Sequence, residues 1–269
     1  MQVRPLKPEI GAEVIASRAD LLSGDHATAL RALLEQRAVL VFPAIGFDEA
    51  ELIAFTRTLG TYAPDREDGR ATAISIAPGG GSSADYTRGS FFWHFDGYMN
   101  PVPVLASLLL CEQPAPAGGD TLFANTYAAW EALDPAVKAR IEGLRVVHAL
   151  AAAQRAVEPE PSHARFAEWL KVPRATLPLV WTHRSGRKSL VIGNSAAGVV
   201  GMDPLESLEL LVYLRDWATQ DRFCHRHVWT AGDLVVWDNT GTLHRATPYD
   251  VASGRRMLRT KLAGEEPFV

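Results

Sequence analysis

The chain lacks most of what marks the specialised protein classes. It has two cysteines in 269 residues, Cys111 and Cys224, far apart and in apolar or strand-like surroundings. Reduced thiols are therefore expected rather than a disulfide framework. No apolar run approaches the roughly 20 residues of a membrane span, and the opening Met1-Gln2-Val3-Arg4-Pro5 has no continuous apolar core of a secretory signal. An unprocessed, cytoplasmic chain with no membrane partner is the expectation. No block of Lys and Arg stands out and the formal net charge is only −4, so the footprint of a nucleic-acid binder is missing. The glycine run Pro78-Gly79-Gly80-Gly81-Ser82-Ser83 has neither the Lys-Ser/Thr nor the following helix of a phosphate-binding loop, and reads as a flexible hairpin or loop. No internal repeat or linker divides the sequence. A single domain over residues 1–269 is expected, and 47% hydrophobic with 22% charged residues is ordinary for a globular protein with a sizeable core.

What is present is a succession of short strand-like runs with a few amphipathic segments. Residues 25–37 carry Ala29, Leu30, Leu33 and Leu34 at helical spacing, and residues 38–42 are a β-branched run closed by Pro43. Asp48 caps a helix reaching about Leu59, with Gly60 after it. Residues 104–111 are nearly continuously apolar and suit a buried strand. Asp203-Pro204 opens the clearest helix, with Leu205, Leu208, Leu211, Val212 and Leu214 on its apolar side. Residues 151–174 show no clear periodicity and are read as an excursion and candidate lid. Further short strands are expected around residues 177–182, 189–192, 225–229, 234–237 and 255–262. The fold class that follows is mainly β with flanking helices, a double-sheet jelly-roll barrel rather than a βαβ fold.

The aromatic stretch Phe91-Phe92-Trp93-His94-Phe95-Asp96-Gly97-Tyr98 is strand-prone, and in an extended segment residues two apart share a face. His94 and Asp96 then converge on one point, as two members of a 2-His-1-carboxylate facial triad for Fe(II). The pattern His-x-Asp is weak by itself. His244 is the candidate third ligand, just beyond the turn Asp238-Asn239-Thr240-Gly241 at the end of a strand. His225 and His227 are also two apart but have no accompanying carboxylate in sequence, and are read as structural, as are His148 and His183 taken singly. Arg255, Met257, Arg259 and Lys261 alternate onto one strand face. That face is either a solvated basic edge or one that offers Arg255 to a carboxylate inside the barrel, and composition does not choose between them.

Taken together, Trp93-His94-Phe95-Asp96, Gly118-Gly119-Asp120-Thr121, Trp237-Asp238-Asn239 through His244-Arg245, and Arg255-Arg256 with Arg259 resemble the taurine dioxygenase / 2,4-dichlorophenoxyacetate dioxygenase family of Fe(II)- and 2-oxoglutarate-dependent oxygenases. The likeness extends from Ile10-Gly11-Ala12-Glu13 to the last strand. It implies a double-stranded β-helix, with His94, Asp96 and His244 as iron ligands. Thr121 and Arg255 match the positions that hold the far carboxylate of 2-oxoglutarate, and Arg259 matches one that binds an anionic substrate group. It also implies hydroxylation by O2, with succinate and CO2 as co-products. Halogenating relatives replace the carboxylate ligand by a small residue, so Asp96 implies a hydroxylase. After Asp96 the chain departs from the taurine enzymes in Gly97-Tyr98-Met99-Asn100, and residues 177–188 are closer to the phenoxyacetate branch. The implied substrate is a small anionic molecule, an organic acid with a hydrophobic or aromatic body. His183, Tyr98, Phe91, Phe92 and Tyr86 are its candidate contacts. The alternatives are a sulfonate or alkyl sulfate ester for the same chemistry, a zinc hydrolase using the same triad, or a non-catalytic jelly-roll binding protein. A homo-oligomer, dimer or tetramer, is compatible with the sequence.

Overall fold

Both faces of the long apolar runs find partners, and this sets the architecture. In the computed structural model residues 1–75 and 88–268 are described; the glycine run at 79–81 and Tyr86 fall outside them. The chain begins with β1 (Gln2–Pro5), β2 (Ala12–Ile15), α1 (Arg18–Leu22), α2 (Ala27–Arg37), β3 (Val39–Phe42), α3 (Glu49–Leu59) and β4 (Thr72–Ile74). It continues through β5 (Ala106–Gln113), β6 (Thr121–Asn125), α4 (Thr126–Glu131), α5 (Pro135–Ile141), β7 (Arg145–His148), α6 (Leu150–Val157) and α7 (His163–Leu170). The last part holds β8 (Ala175–Pro178), β9 (Val180–Thr182), β10 (Lys188–Leu190), β11 (Ala196–Val199), α8 (Pro204–Ala218), β12 (Cys224–His227), β13 (Leu234–Asp238), β14 (Thr242–Ala246) and β15 (Arg256–Leu262).

The large sheet has the order β1-β2-β3-β13-β5-β15-β4, antiparallel except where β2 meets β3. Alternation along β5 shows how it is used. Ala106, Leu108 and Leu110 join Leu30, Leu34, Leu52 and Phe55 beneath the helices α2 and α3. The intervening Leu109 and Cys111 join Phe123, Trp229, Trp237 and Met257 between the sheets. A strand buried on both faces reads as a continuous apolar run, which is why residues 104–111 and 234–237 show no alternation. The facing sheet, β12-β6-β14, closes the jelly roll, and single-bridge pairing of His94 with His244 adds the ligand segment to its edge. The helix cap expected at Asp48 forms as a full capping box with Glu51. Cys111 and Cys224 are buried and free, and burial pushes their thiols up to about 11 and about 12.

Three expectations change. The aromatic run 91–98 is not a strand: a 3-10 turn (Gly89–Phe91) precedes an irregular path in which His94 makes the only bridge among the described residues. Residues 151–174 are not irregular but fold largely into α6 and α7, with Trp169 buried. In α8 the buried side is Ser207, Leu210, Leu211, Leu214 and Ala218, leaving Leu205 and Leu208 exposed. Leu211 and Leu214 are common to the expected and observed faces, and Ser207 joins the buried side with its hydroxyl accepting the Val199 N–H at 2.7 Å. Among the described residues no helix is long and apolar enough to cross a membrane.

Candidate active site

His94, Asp96 and His244 come together, each offering a ligand atom within 4.8 Å of the others. The local chemistry prepares each donor. His94 Nδ1 lies 2.9 Å from the Phe92 carbonyl. A carbonyl only accepts, so Nδ1 is the donor there, and Nε2, 3.9 Å from Asp96 Oδ1, is the nitrogen left to face the carboxylate. His244 is held against the rings of Trp237 and Phe123 with centroids 4.8 and 6.4 Å away. Burial, then the neighbouring His94, pushes its pKa down to about 3, so it is a neutral donor near pH 7. Its Nδ1 is buried with no hydrogen-bond partner among the described residues. Burial opposes ionisation of Asp96, but Arg259, His244 and His94 outweigh it and hold the carboxyl well below the usual carboxylate range. Two imidazoles and one carboxylate, with the buried Nδ1 of His244 lacking a partner among the described residues, fit a divalent cation of intermediate softness.

Since Asp96 is not in a strand, something else must hold it. Asn239 does so from the turn after β13: its Oδ1 accepts the Asp96 N–H at 2.8 Å, and its Nδ2 donates to the carbonyls of Asp96 at 2.7 Å and Val104 at 3.1 Å. Sequence reading missed this role. The signal was an uncharged amide between two motif-bearing strands, with Asp238 bonding the Thr240 N–H and hydroxyl to fix the turn.

Arg255 lies just before a bulge at the start of β15, 5% exposed and without a carboxylate partner among the described residues. Its Nη2 donates to the Gly119 carbonyl at 3.2 Å, the guanidinium covers the Tyr249 ring at 4.8 Å, and its Nε is buried and unpartnered. A buried charge left in this state costs several kcal/mol unless an anion arrives, so the residues fit a ligand carboxylate. The solvated-edge alternative fails for Arg255 for the same reason. Gly118 and Gly119 are why the guanidinium fits: both have positive φ (+70° and +74°), and a Cβ on Gly119 would meet Arg255 Nε at 3.0 Å. A Cβ on Gly118 would sit 2.1 Å from the Pro248 carbonyl oxygen. Gly118→Ala is expected to lose about 2–4 kcal/mol of stability from strain and clash together, read as a lower urea midpoint at unchanged m-value. Thr121 pairs with Ala246 while Phe123 pairs with His244, which puts Thr121 on the face of His244, about 7 Å along the strand. Its Oγ1 accepts from Trp229 Nε1 at 3.0 Å, leaving its own proton to donate.

Arg259 and Lys261 point inward from β15 and share Asp65, which Arg259 Nη2 meets at 3.1 Å; Arg259 Nη1 is 3.6 Å from Asp96 Oδ2. Asp65 lies in the connection between α3 and β4, and nothing in the sequence marked it as their counter-ion. Of the candidate substrate residues, Phe91 packs edge-on to Tyr249 at 6.0 Å and 89°, and Phe92 is 37% exposed. Tyr98 packs beside His148, with ring centroids 5.9 Å apart and planes tilted by 31°. His183 does not fit its expected role: Nδ1 is 2.6 Å from Glu266 Oε1 and Nε2 is 2.8 Å from Ser189 Oγ, so neither nitrogen is left for a substrate. His148 is structural as expected, bonded to Ser195 Oγ at 2.9 Å and pushed down to about 4 by burial. His227 is structural too, but against expectation it has a carboxylate, Asp233, at 3.2 Å from its Nε2.

Comparison with known proteins points to one family. The family model described as "Taurine catabolism dioxygenase TauD, TfdA family" matches residues 2–261. The (S)-phenoxypropionate/alpha-ketoglutarate-dioxygenase of Sphingobium herbicidovorans is 33% identical, over 98% of this chain and 95% of that protein. The alpha-ketoglutarate-dependent 2,4-dichlorophenoxyacetate dioxygenase of Cupriavidus pinatubonensis is 32% identical, over 95% of each. Among solved structures, AAD-2 in complex with Mn(II) and N-oxalylglycine superposes with a TM-score of 0.89 at 29% identity, covering 100% of this chain and 99% of that one.

Proposed function

The chain belongs to the TauD, TfdA family of 2-oxoglutarate-dependent dioxygenases, and from that premise we propose that it hydroxylates a small aryloxy or similarly hydrophobic organic acid. It is an oxidoreductase requiring Fe(II), 2-oxoglutarate and O2, and the zinc-hydrolase reading has no support. When bound, this set supplies the oxidising power: 2-oxoglutarate loses CO2 to become succinate, one oxygen atom entering succinate and the other a substrate C–H bond. His94, Asp96 and His244 would hold the metal on one face and leave the others open. Thr121 and Arg255 would fix the far carboxylate of 2-oxoglutarate through a hydroxyl proton and a fork-shaped cation. Arg259 and Lys261 would meet the substrate anion in competition with Asp65, while Phe91, Phe92 and Tyr98 border the approach. Residues 151–174, as α6 and α7, are retained as a candidate cover, and the chain as one catalytic domain.

The observation that carries the activity is the prepared donor triad together with a buried arginine lacking a carboxylate among the described residues. Arylsubstituted acids are favoured because the relatives matched over nearly their full length are named for phenoxypropionate and 2,4-dichlorophenoxyacetate. The test is succinate release above the substrate-free rate, with a panel of aryloxy acids, alkylsulfonates and alkyl sulfate esters under air with Fe(II). Aryloxy acids are expected to stimulate at least about tenfold, the level at which 1.4 kcal/mol separates substrates. Stimulation confined to sulfonates or sulfate esters would replace the substrate class and leave the chemistry standing.

A further inference from the structure

The segment that follows β15 packs against the metal site from behind. Ala263 donates its N–H to the Thr61 carbonyl at 2.8 Å, and the Gly264 backbone lies so close to Pro103 that a Cβ would fall 2.0 Å from its carbonyl oxygen. Glu265 makes a two-pronged pair with Arg31, at 2.9 and 2.8 Å. Glu266 takes His183 Nδ1 on one oxygen at 2.6 Å and the Arg184 N–H on the other at 2.9 Å. Phe268 packs on Trp181 with centroids 4.5 Å apart and planes tilted by 48°, and reaches Phe95 at 6.3 Å.

Two routes run from here to Asp96. One is apolar. Phe95 lies between the ligands His94 and Asp96, and its ring is wedged between Phe268 and His148, whose centroid is 5.5 Å away. The other is polar. His183 bonds Ser189 Oγ at 2.8 Å, and that hydroxyl donates to the Thr240 carbonyl at 2.9 Å, one residue from the Asn239 amide that grips Asp96 from both sides. The need for such support is local. Asp96 sits on an irregular path with no ladder of its own, so its placement depends on what packs around Phe95 and what fixes the turn at Asn239.

We propose that residues 265–268 form a positioning clamp for the carboxylate arm of the metal site, Phe268 acting through Phe95 and Glu266 through His183, Ser189 and the Asn239 turn. Neither residue touches metal or substrate. The proposal rests on His94, Asp96 and His244 binding a divalent metal. It also gives His183 a use that its expected contact with substrate did not.

The experiment is titration of the full chain with Mn(II), following the free ion by electron paramagnetic resonance, with thermal melts on the same samples. Mn(II) is chosen because it does not oxidise in air. Phe268→Ala is expected to raise the Mn(II) Kd about tenfold or more, the range for loss of an outer support of a metal ligand, and Phe268→Tyr to restore it to about twofold of wild type. Glu266→Gln is expected to weaken Mn(II) in the same direction, and carries the test if Phe268→Ala does not fold. Leu52→Ala, in the cluster beneath α3, is the control: it should lower the melting temperature with little change in Kd. An unchanged Kd in folded Phe268 and Glu266 variants, or an equal change in Leu52→Ala, overturns the clamp. Failure of the wild type to bind Mn(II) would instead sink the metal site itself, and the clamp with it.

Discussion

Arg255→Met is expected to raise the 2-oxoglutarate concentration needed for half-maximal succinate formation about 100- to 1,000-fold, while leaving the ligand-free protein as stable as wild type or more so. The two effects have one cause. In the free protein the guanidinium is 5% exposed, with one carbonyl acceptor and an unpartnered Nε. Folding must bury this charge without a carboxylate among the described residues, and replacing a buried ionic group by an apolar side chain of similar length is often neutral or stabilising. Once the co-substrate carboxylate is bound, the same cation is half of a buried pair, and removing one partner of such a pair costs about 2–5 kcal/mol, which at 1.4 kcal/mol per decade is about 30- to 4,000-fold and brackets the expected loss. Thr121 and the metal would retain part of the binding, so the loss should be in apparent affinity more than in the rate at saturation. The measurement is initial succinate rate against 2-oxoglutarate, beside melts of the metal-free proteins. A variant that melts lower with unchanged co-substrate dependence would make Arg255 a structural residue.

The parts of this site legible in the sequence are those whose chemistry is carried by residue type and local order. His94 and Asp96 stood out by their spacing and His244 by its place beyond a turn, whereas Gly118-Gly119, Thr121 and Arg255 became legible only through the family resemblance, because composition alone left the role of Arg255 open. The jelly roll was legible as a count of short strands, and the two-sided burial of β5 and β13 as their lack of alternation. What was not legible depends on contacts across long sequence separations. Asp65 neutralises Arg259 and Lys261 from about 200 residues away, and Asn239 reaches back to Asp96. His183 was assigned to substrate through the likeness of residues 177–188 to the phenoxyacetate branch, but Glu266 and Ser189 satisfy it first. The aromatic run at 91–98 misled in the other direction. Its β propensity is real, but the aromatics are spent on packing: Trp93 is buried beneath the Arg245 guanidinium, 4.7 Å from its ring, and Phe95 lies in the wedge behind the ligands. A segment anchored by side chains need not form a ladder.

Asp96→Asn is the sharper test of the metal site, since it changes charge and little else. The asparagine keeps the volume, and its side-chain oxygen can still accept from Ser107 Oγ, now at 3.3 Å. The backbone grip of Asn239 is untouched. What disappears is the one anion in the triad, and a dication would then face two imidazoles and the Arg259 guanidinium, whose Nη1 stands 3.6 Å from the Asp96 carboxylate. Uncompensating a charge in such a place costs about 3–5 kcal/mol, so the Mn(II) Kd should rise at least about 100-fold and succinate formation at ordinary Fe(II) levels should vanish. If repulsion from Arg259 is part of that loss, the double variant Asp96→Asn/Arg259→Met should bind Mn(II) more tightly than Asp96→Asn alone, although Arg259→Met by itself weakens the response to organic acids. Such a gain in Mn(II) binding cannot come from general loosening, because two independent destabilisations add as losses. Additive losses across the cycle would mean that Arg259 is screened from the metal by Asp65, and that its part lies with the substrate anion alone.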